Sequence, residues 1–95
     1  MDKPMLYVDF NEMVEPNLVL LSAQDTKNDS FGKSVSLREG LKVIVYMEDT
    51  DESGNVDNLV ASGVVEKNEL TTGWANHVKW CCRIDGGGIR HQSEI

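Results

Sequence analysis

Cysteine, proline and aromatic residues are scarce in this 95-residue chain, with two Cys, two Pro and two each of Trp, Tyr and Phe. Two adjacent cysteines cannot build a disulfide framework or supply a zinc quartet. No long apolar run is present either. The longest are Leu18–Leu21 and Val43–Met47, far shorter than a bilayer span requires. Met1-Asp2-Lys3-Pro4 lacks the basic and apolar regions of an export signal. Free thiols without an export signal lead to the expectation of a reducing cytoplasm. Basic residues are also short in number, nine against sixteen acids, and the net charge is −7. The nine are scattered, so phosphate backbones and anionic membranes are poor partners. An acidic balance of this size suits solubility or a basic protein partner.

Helical periodicity is missing as well: no segment sustains it for ten residues, and no repeat, linker or low-complexity tract interrupts the chain. What is present is two-residue alternation, the mark of half-buried strands. It is clearest in Val78-Lys79-Trp80-Cys81-Cys82-Arg83-Ile84. Read as one strand, Val78, Trp80, Cys82 and Ile84 share a core face, while Lys79, Cys81 and Arg83 face water. Further strands are expected at Met5–Phe10, Asn17–Ala23, Leu41–Glu48 and Leu59–Lys67, with a short closing piece within Ile89–Ile95. Asn11–Pro16 reads as a break with room for one helical turn, and Gln24–Ser34 as a polar loop. Gly63 marks a bulge or sharp bend in its strand.

Short strands joined by turn-rich loops imply an all-β domain covering residues 1–95. The strand and loop order resembles a Src-homology-3-like antiparallel barrel of about five strands. An open antiparallel sheet or small sandwich is the rival. One pattern does not suit a small barrel with a single core. Leu18–Leu21 and the middle of Leu41–Glu48 are apolar on both faces, whereas one wet face per strand is expected. Either these strands are covered on both sides, with Pro16–Ala23 and the polar loop folding over them, or the second face meets another molecule. On the latter reading Val19, Leu21, Ile44 and Tyr46, with Trp74 from a loop, form the interface and a homodimer is the expected occupant.

Few residues suggest chemistry. The sulfurs of Cys81 and Cys82 should diverge to opposite faces, which removes a vicinal metal pair and leaves Cys81 as an exposed thiol. His77 lies four residues from Cys81, about 13 Å along a strand at roughly 3.3 Å per residue; His91 is the other candidate partner for a thiol-dependent enzyme. Asp49, Asp51, Ser53 and Asp57 match ligand positions of a calcium loop, with Gly54 at its turn. The twelfth position is Val60 instead of a glutamate, and the flanks are strands instead of helices. A weak calcium site on a hairpin is the remaining form of that idea. Asp85-Gly86-Gly87-Gly88 lacks the following helix that a phosphate-binding loop needs.

Gly40–Asp49, Asn58–Asn68, Val78–Asp85 and Gly88–His91 together resemble small uncharacterised bacterial proteins of the kind carried on mobile gene (integron) cassettes. The resemblance implies a bacterial origin and a compact domain, and no activity or site residues. The predicted function is a non-catalytic interaction or binding module that needs no cofactor. A small-ligand or calcium-binding barrel is second, and a thiol-dependent enzyme third.

Overall fold

Alternation is strongest where the chain builds its central meander. The computed structural model describes residues 3–69 and 77–94. In it β6 (Lys42–Met47), β7 (Leu59–Lys67) and β8 (Trp80–Ile84) lie side by side as antiparallel neighbours. The bounds of β7 coincide with those read from its sequence. Val43 and Val45 pair with Gly63 and Ala61; Gly63 and Val65 pair with Ile84 and Cys82. Partners across a ladder face the same side, so these residues form one inner face. Leu6 of β1 (Met5–Tyr7) and Val19 of β3 (Leu18–Ser22) extend it, opposite Val45 and Cys82. All of them except Gly63 belong to the principal core, with Leu21, Leu37 and Trp80.

The all-β class holds, but the sheet does not close into a barrel. Its strands run β1-β6-β7-β8-β3-β2, with β2 at Met13–Glu15, and β9 (Arg90–His91) lies beside the start of β7. Among the described residues its ends are β1 and β2. The sheet is also mixed: β1 runs parallel to β6, while its other pairings are antiparallel. A parallel neighbour needs a long crossover, and the chain between β1 and β6 provides it. A separate hairpin of β4 (Thr26–Asn28) and β5 (Ser34–Ser36) lies in that crossover and packs Val35 against the core.

Several local expectations change. Residues 11–16 hold an edge strand in place of a helical turn, and Pro16 follows it without interrupting a ladder. The polar stretch 24–34 contains β4 and the hairpin turn. Its strands escape a pattern search because their side chains are mostly polar and exposed. Gly63 is not a bulge: it pairs in register with Val43 on one side and with Ile84, at the end of the ladder, on the other. Val78 departs from the face of Trp80: β8 starts at Trp80, and Val78 joins Leu18, Leu20 and Cys81 in a second buried cluster.

That second cluster corrects two site expectations. Cys81 is fully buried because Leu18 and Leu20 place apolar side chains on the face expected to be wet. Val19 and Leu21 are not surface residues either. They are 0% and 5% exposed and belong to the principal core. β3 is therefore covered on both sides. Among the described residues, no helix is long and apolar enough to cross a membrane.

Candidate functional site

β6 sends Val43 and Val45 inward, so Lys42, Ile44 and Tyr46 occupy its outer face. The parallel register sets Met5 beside Ile44 and Tyr7 beside Tyr46. The two tyrosine rings meet edge to face, with centroids 5.8 Å apart and planes at 81°, a favourable arrangement for aromatic quadrupoles. Val60 and Ser62 on β7 continue this face opposite Tyr46 and Ile44. Ile44 and Tyr46 are half-buried, and Tyr7 is 47% exposed.

The β4–β5 hairpin borders the strip. Ser30 N donates to Met5 O at 3.0 Å, which ties the hairpin tip to β1. Within the tip, Asp29 Oδ1 accepts from Phe31 N and Lys33 N, each at 2.9 Å. Gly32 has φ of +81°, a conformation that glycine adopts without steric cost. This hydrogen-bonded turn carries Phe31 outward, 92% exposed. An open groove of about 890 Å³ runs beneath it, lined by Phe31, Lys3, Met5, Lys33, Val35 and Ile44 among others.

A second hollow adjoins Ile44 from the other side. After β8 the chain leaves the edge of β7 at Asp85 and rejoins it at Arg90, opposite Val60. Asp85 Oδ1 accepts from Gly87 N at 2.9 Å, and Gly88 turns the chain with φ of +70°. The excursion leaves about 340 Å³ above Ile44, Val60, Ala61 and Ser62, walled by Gly87, Gly88, Asp85 and Arg90. Arg90 Nε donates to Gly87 O at 3.0 Å, which holds the guanidinium against the turn.

No known protein family, characterised protein or solved structure matches this chain. The geometry of the face is thus the only guide to its use.

The residues singled out from the sequence divide sharply. Ile44 and Tyr46 lie on this outer face. Val19 and Leu21 lie in the core, and Trp74 falls outside the described residues. Three of the four calcium candidates, Asp49, Asp51 and Asp57, have their carboxylates engaged within the protein. Asp51 Oδ1 accepts from Ser53 N and Asn55 N at 2.9 Å, which closes the hairpin loop. Asp57 accepts from Ser93 N and Ser93 Oγ at 3.0 and 2.8 Å, which holds its carboxyl below the usual range. Asp49 faces His91 Nε2 at 3.1 Å. Among the described residues, no three His, Cys, Asp or Glu side chains converge as a metal site would require.

Both thiols are free and buried. Burial pushes Cys81 up to about 11 and Cys82 up to about 12, with Glu66 adding to both shifts. Both are therefore protonated near neutrality, and the thiolate is the reactive form. His91 does not serve Cys81; its two ring nitrogens face Asp49 and Glu94. Arg83, which shares the outer side of β8 with Cys81, is held by Glu66 and Glu15 at 3.0 Å.

His91 fastens the C-terminal segment to the β6–β7 loop. With carboxylates at both ring nitrogens, the imidazolium is the form that donates to each. The Asp49 hydrogen bond raises its pKa most, with Glu94 and the charge of Asp57 adding and desolvation opposing. Because the folded value lies above the unfolded one, the contribution is full below about pH 6.5. It is lost as pH rises through the raised folded value. Thermal melts followed by circular dichroism should show the wild type losing more Tm than His91→Gln between about pH 6 and pH 8. Equal losses would remove His91 as the cause.

Phe31, Tyr7 and Arg90 were not singled out from the sequence. Alternation did place Tyr7 opposite Leu6 and Val8. For Phe31 a signal also existed: an aromatic residue inside Asp-Ser-Phe-Gly-Lys sits in a tight turn, where no core is within reach. Arg90 carried none, since its place depends on the chain leaving and rejoining β7.

Proposed function

We propose that the protein is a non-catalytic interaction module that binds a protein partner through the outer face of β1, β6 and β7. The observation that carries this reading is the set of Tyr7, Ile44, Tyr46 and Phe31. Their apolar groups remain accessible on a surface whose strands and turn are held by backbone hydrogen bonds. Aromatic side chains on a preorganised frame are common anchors at protein interfaces. Self-association is one form of this reading, with a homodimer meeting over Ile44 and Tyr46. The bacterial, mobile-cassette origin rests on the sequence resemblance alone and is proposed with it.

Two measurements test the module. Multi-angle light scattering at tens of micromolar should return a dimer mass if the occupant is a second copy. Affinity capture from the source cells should recover partners that a folded Tyr7→Ser/Phe31→Ser variant loses. A single-chain mass, together with identical captures by both proteins, would refute the reading. The hollow over Val60 favours a second reading, a small-ligand site, because it joins an apolar floor to Arg90 and Ser62.

A further inference from the structure

The net charge of −7 makes the outer face unusual for its own chain. Four of the nine basic residues gather there. Lys3 and Lys33 line the groove below Phe31, Arg90 walls the hollow over Val60, and Lys42 lies two positions before Ile44 on the same face of β6. Among the described residues none of the four forms an ion pair, whereas Lys79 and Arg83 do. The two carboxylates lining the same hollows are engaged in their own turns. Asp29 accepts from Phe31 N and Lys33 N, and Asp85 accepts from Gly87 N. Each of these carboxylates gives one oxygen to backbone N–H groups, and among the described residues none of the four cations is paired with a carboxylate.

The groove and the hollow meet at Ile44, so one apolar strip runs between cationic edges. We infer that this strip takes an acidic peptide segment of a partner protein, with a bulky apolar side chain over Ile44 and Val60 and carboxylates against Lys33 and Arg90. The inference rests on the interaction reading above and supplies the chemistry of the partner. A second copy fits less well. A two-fold contact brings a patch against itself, which would set Lys33 and Arg90 among the same cations of the other copy. Opposite charge at the edge of an interface guides encounter and rejects wrong partners, while the apolar centre holds the complex.

The probes are three fluorescein-labelled peptides sharing a Leu-Phe-Leu centre, flanked on each side by three Glu, three Gln or three Lys. Fluorescence anisotropy at low salt should show the Glu peptide binding about tenfold more tightly than the Gln peptide. The Lys peptide should not bind. The advantage of the Glu peptide should shrink in 0.5 M salt, as screening of exposed charges requires. The Lys33→Glu/Arg90→Glu variant, with an unchanged circular dichroism spectrum, should reverse the order and prefer the Lys peptide. Because the salt series uses the wild type, it tests the inference even where the variant folds poorly. Equal binding of Glu and Gln peptides would overturn the acidic partner and leave the interaction face standing. A dimer that binds none of the peptides and is broken by Tyr46→Lys would make a second copy the occupant, overturning the inference alone. A single-chain mass with no peptide bound would overturn the inference, and the interaction reading would fall with it only if wild type and the Tyr7→Ser/Phe31→Ser variant also captured the same proteins.

Discussion

Gly63→Ala should lower stability by about 3 kcal/mol, at the upper end of what overpacking a filled core costs. A Cβ built on Gly63 would lie 2.5 Å from Arg83 O and 2.5 Å from Cys82 Sγ. Real Cβ atoms do not approach neighbours so closely. One obstacle is a backbone carbonyl, which moves only if β8 separates from β7. The effect is steric: Gly63 lies in register in both ladders and is not among the residues with positive φ. For a domain of this size the loss corresponds to roughly 12–24 °C in Tm. Chemical denaturation measures it directly, and adding Cys82→Ala sorts the two contacts. That second change removes the sulfur but not the carbonyl, so it should restore only part of the loss. Neutral behaviour of Gly63→Ala alone would show that β7 and β8 are not so close.

Trp80→Ala should cost about 3–5 kcal/mol, the usual range for deleting a buried aromatic side chain. Trp80 is 6% exposed and belongs to the principal core. Its indole also reaches the border of the core, where Nε1 donates to Asp25 Oδ1 at 3.1 Å. Lys79 Nζ lies 2.7 Å from the same carboxylate oxygen and 5.8 Å from the ring centroid. The Lys79 and Trp80 bonds hold the Asp25 carboxyl below its ordinary range. Trp80→Phe retains most of the apolar contact and loses the donor, so its loss should be a minor fraction of that of Trp80→Ala. Similar losses for the two variants, measured in urea, would shift the weight from burial to the hydrogen bond. Against the 5–15 kcal/mol typical of whole domains, either core substitution described here is severe.

These two positions also show what could be read from the chain. Trp80 was legible because Trp80, Cys82 and Ile84 alternate with charged or small residues and the strand is regular. Gly63 was legible as a special position, but its reason was not. Only the three-dimensional pairing reveals that Cys82 and Arg83 press against it. β3 failed for a different cause. Leu18–Leu21 is apolar throughout because both sides are covered, and a strand buried on two faces carries no alternation to read. That removed any basis for separating Val19 and Leu21 from Leu18 and Leu20, and it hid the burial of Cys81. The hairpin strands β4 and β5 were missed for the opposite reason, since polar side chains dominate both. On the outer face, Ile44 and Tyr46 emerged from alternation alone, whereas the cations beside them gather only after distant segments meet.

The acidic character of the chain also takes a more specific meaning. Asp9, Asp29, Asp51 and Asp85 each accept a hydrogen bond from the backbone N–H two residues later. In each case the N–H three residues later donates to the aspartate's own carbonyl. Aspartate suits this position because its short side chain mimics a backbone acceptor. What reads as an acidic surface is in part turn construction, and Asp51 in the β6–β7 loop is one example.

The sheet order carries a consequence for the birth of the molecule. β6, β7 and β8 follow one another and can pair as soon as each is synthesised. β1 must wait for β6, and β3 must wait for β8. The ribosome therefore releases Leu6 and Val19 before Val45 and Cys82, their partners across the ladder, exist. Contacts between such distant segments are slow to form. During that interval these apolar side chains are open to chaperones and to aggregation, and the arrival of β6 and β8 ends it.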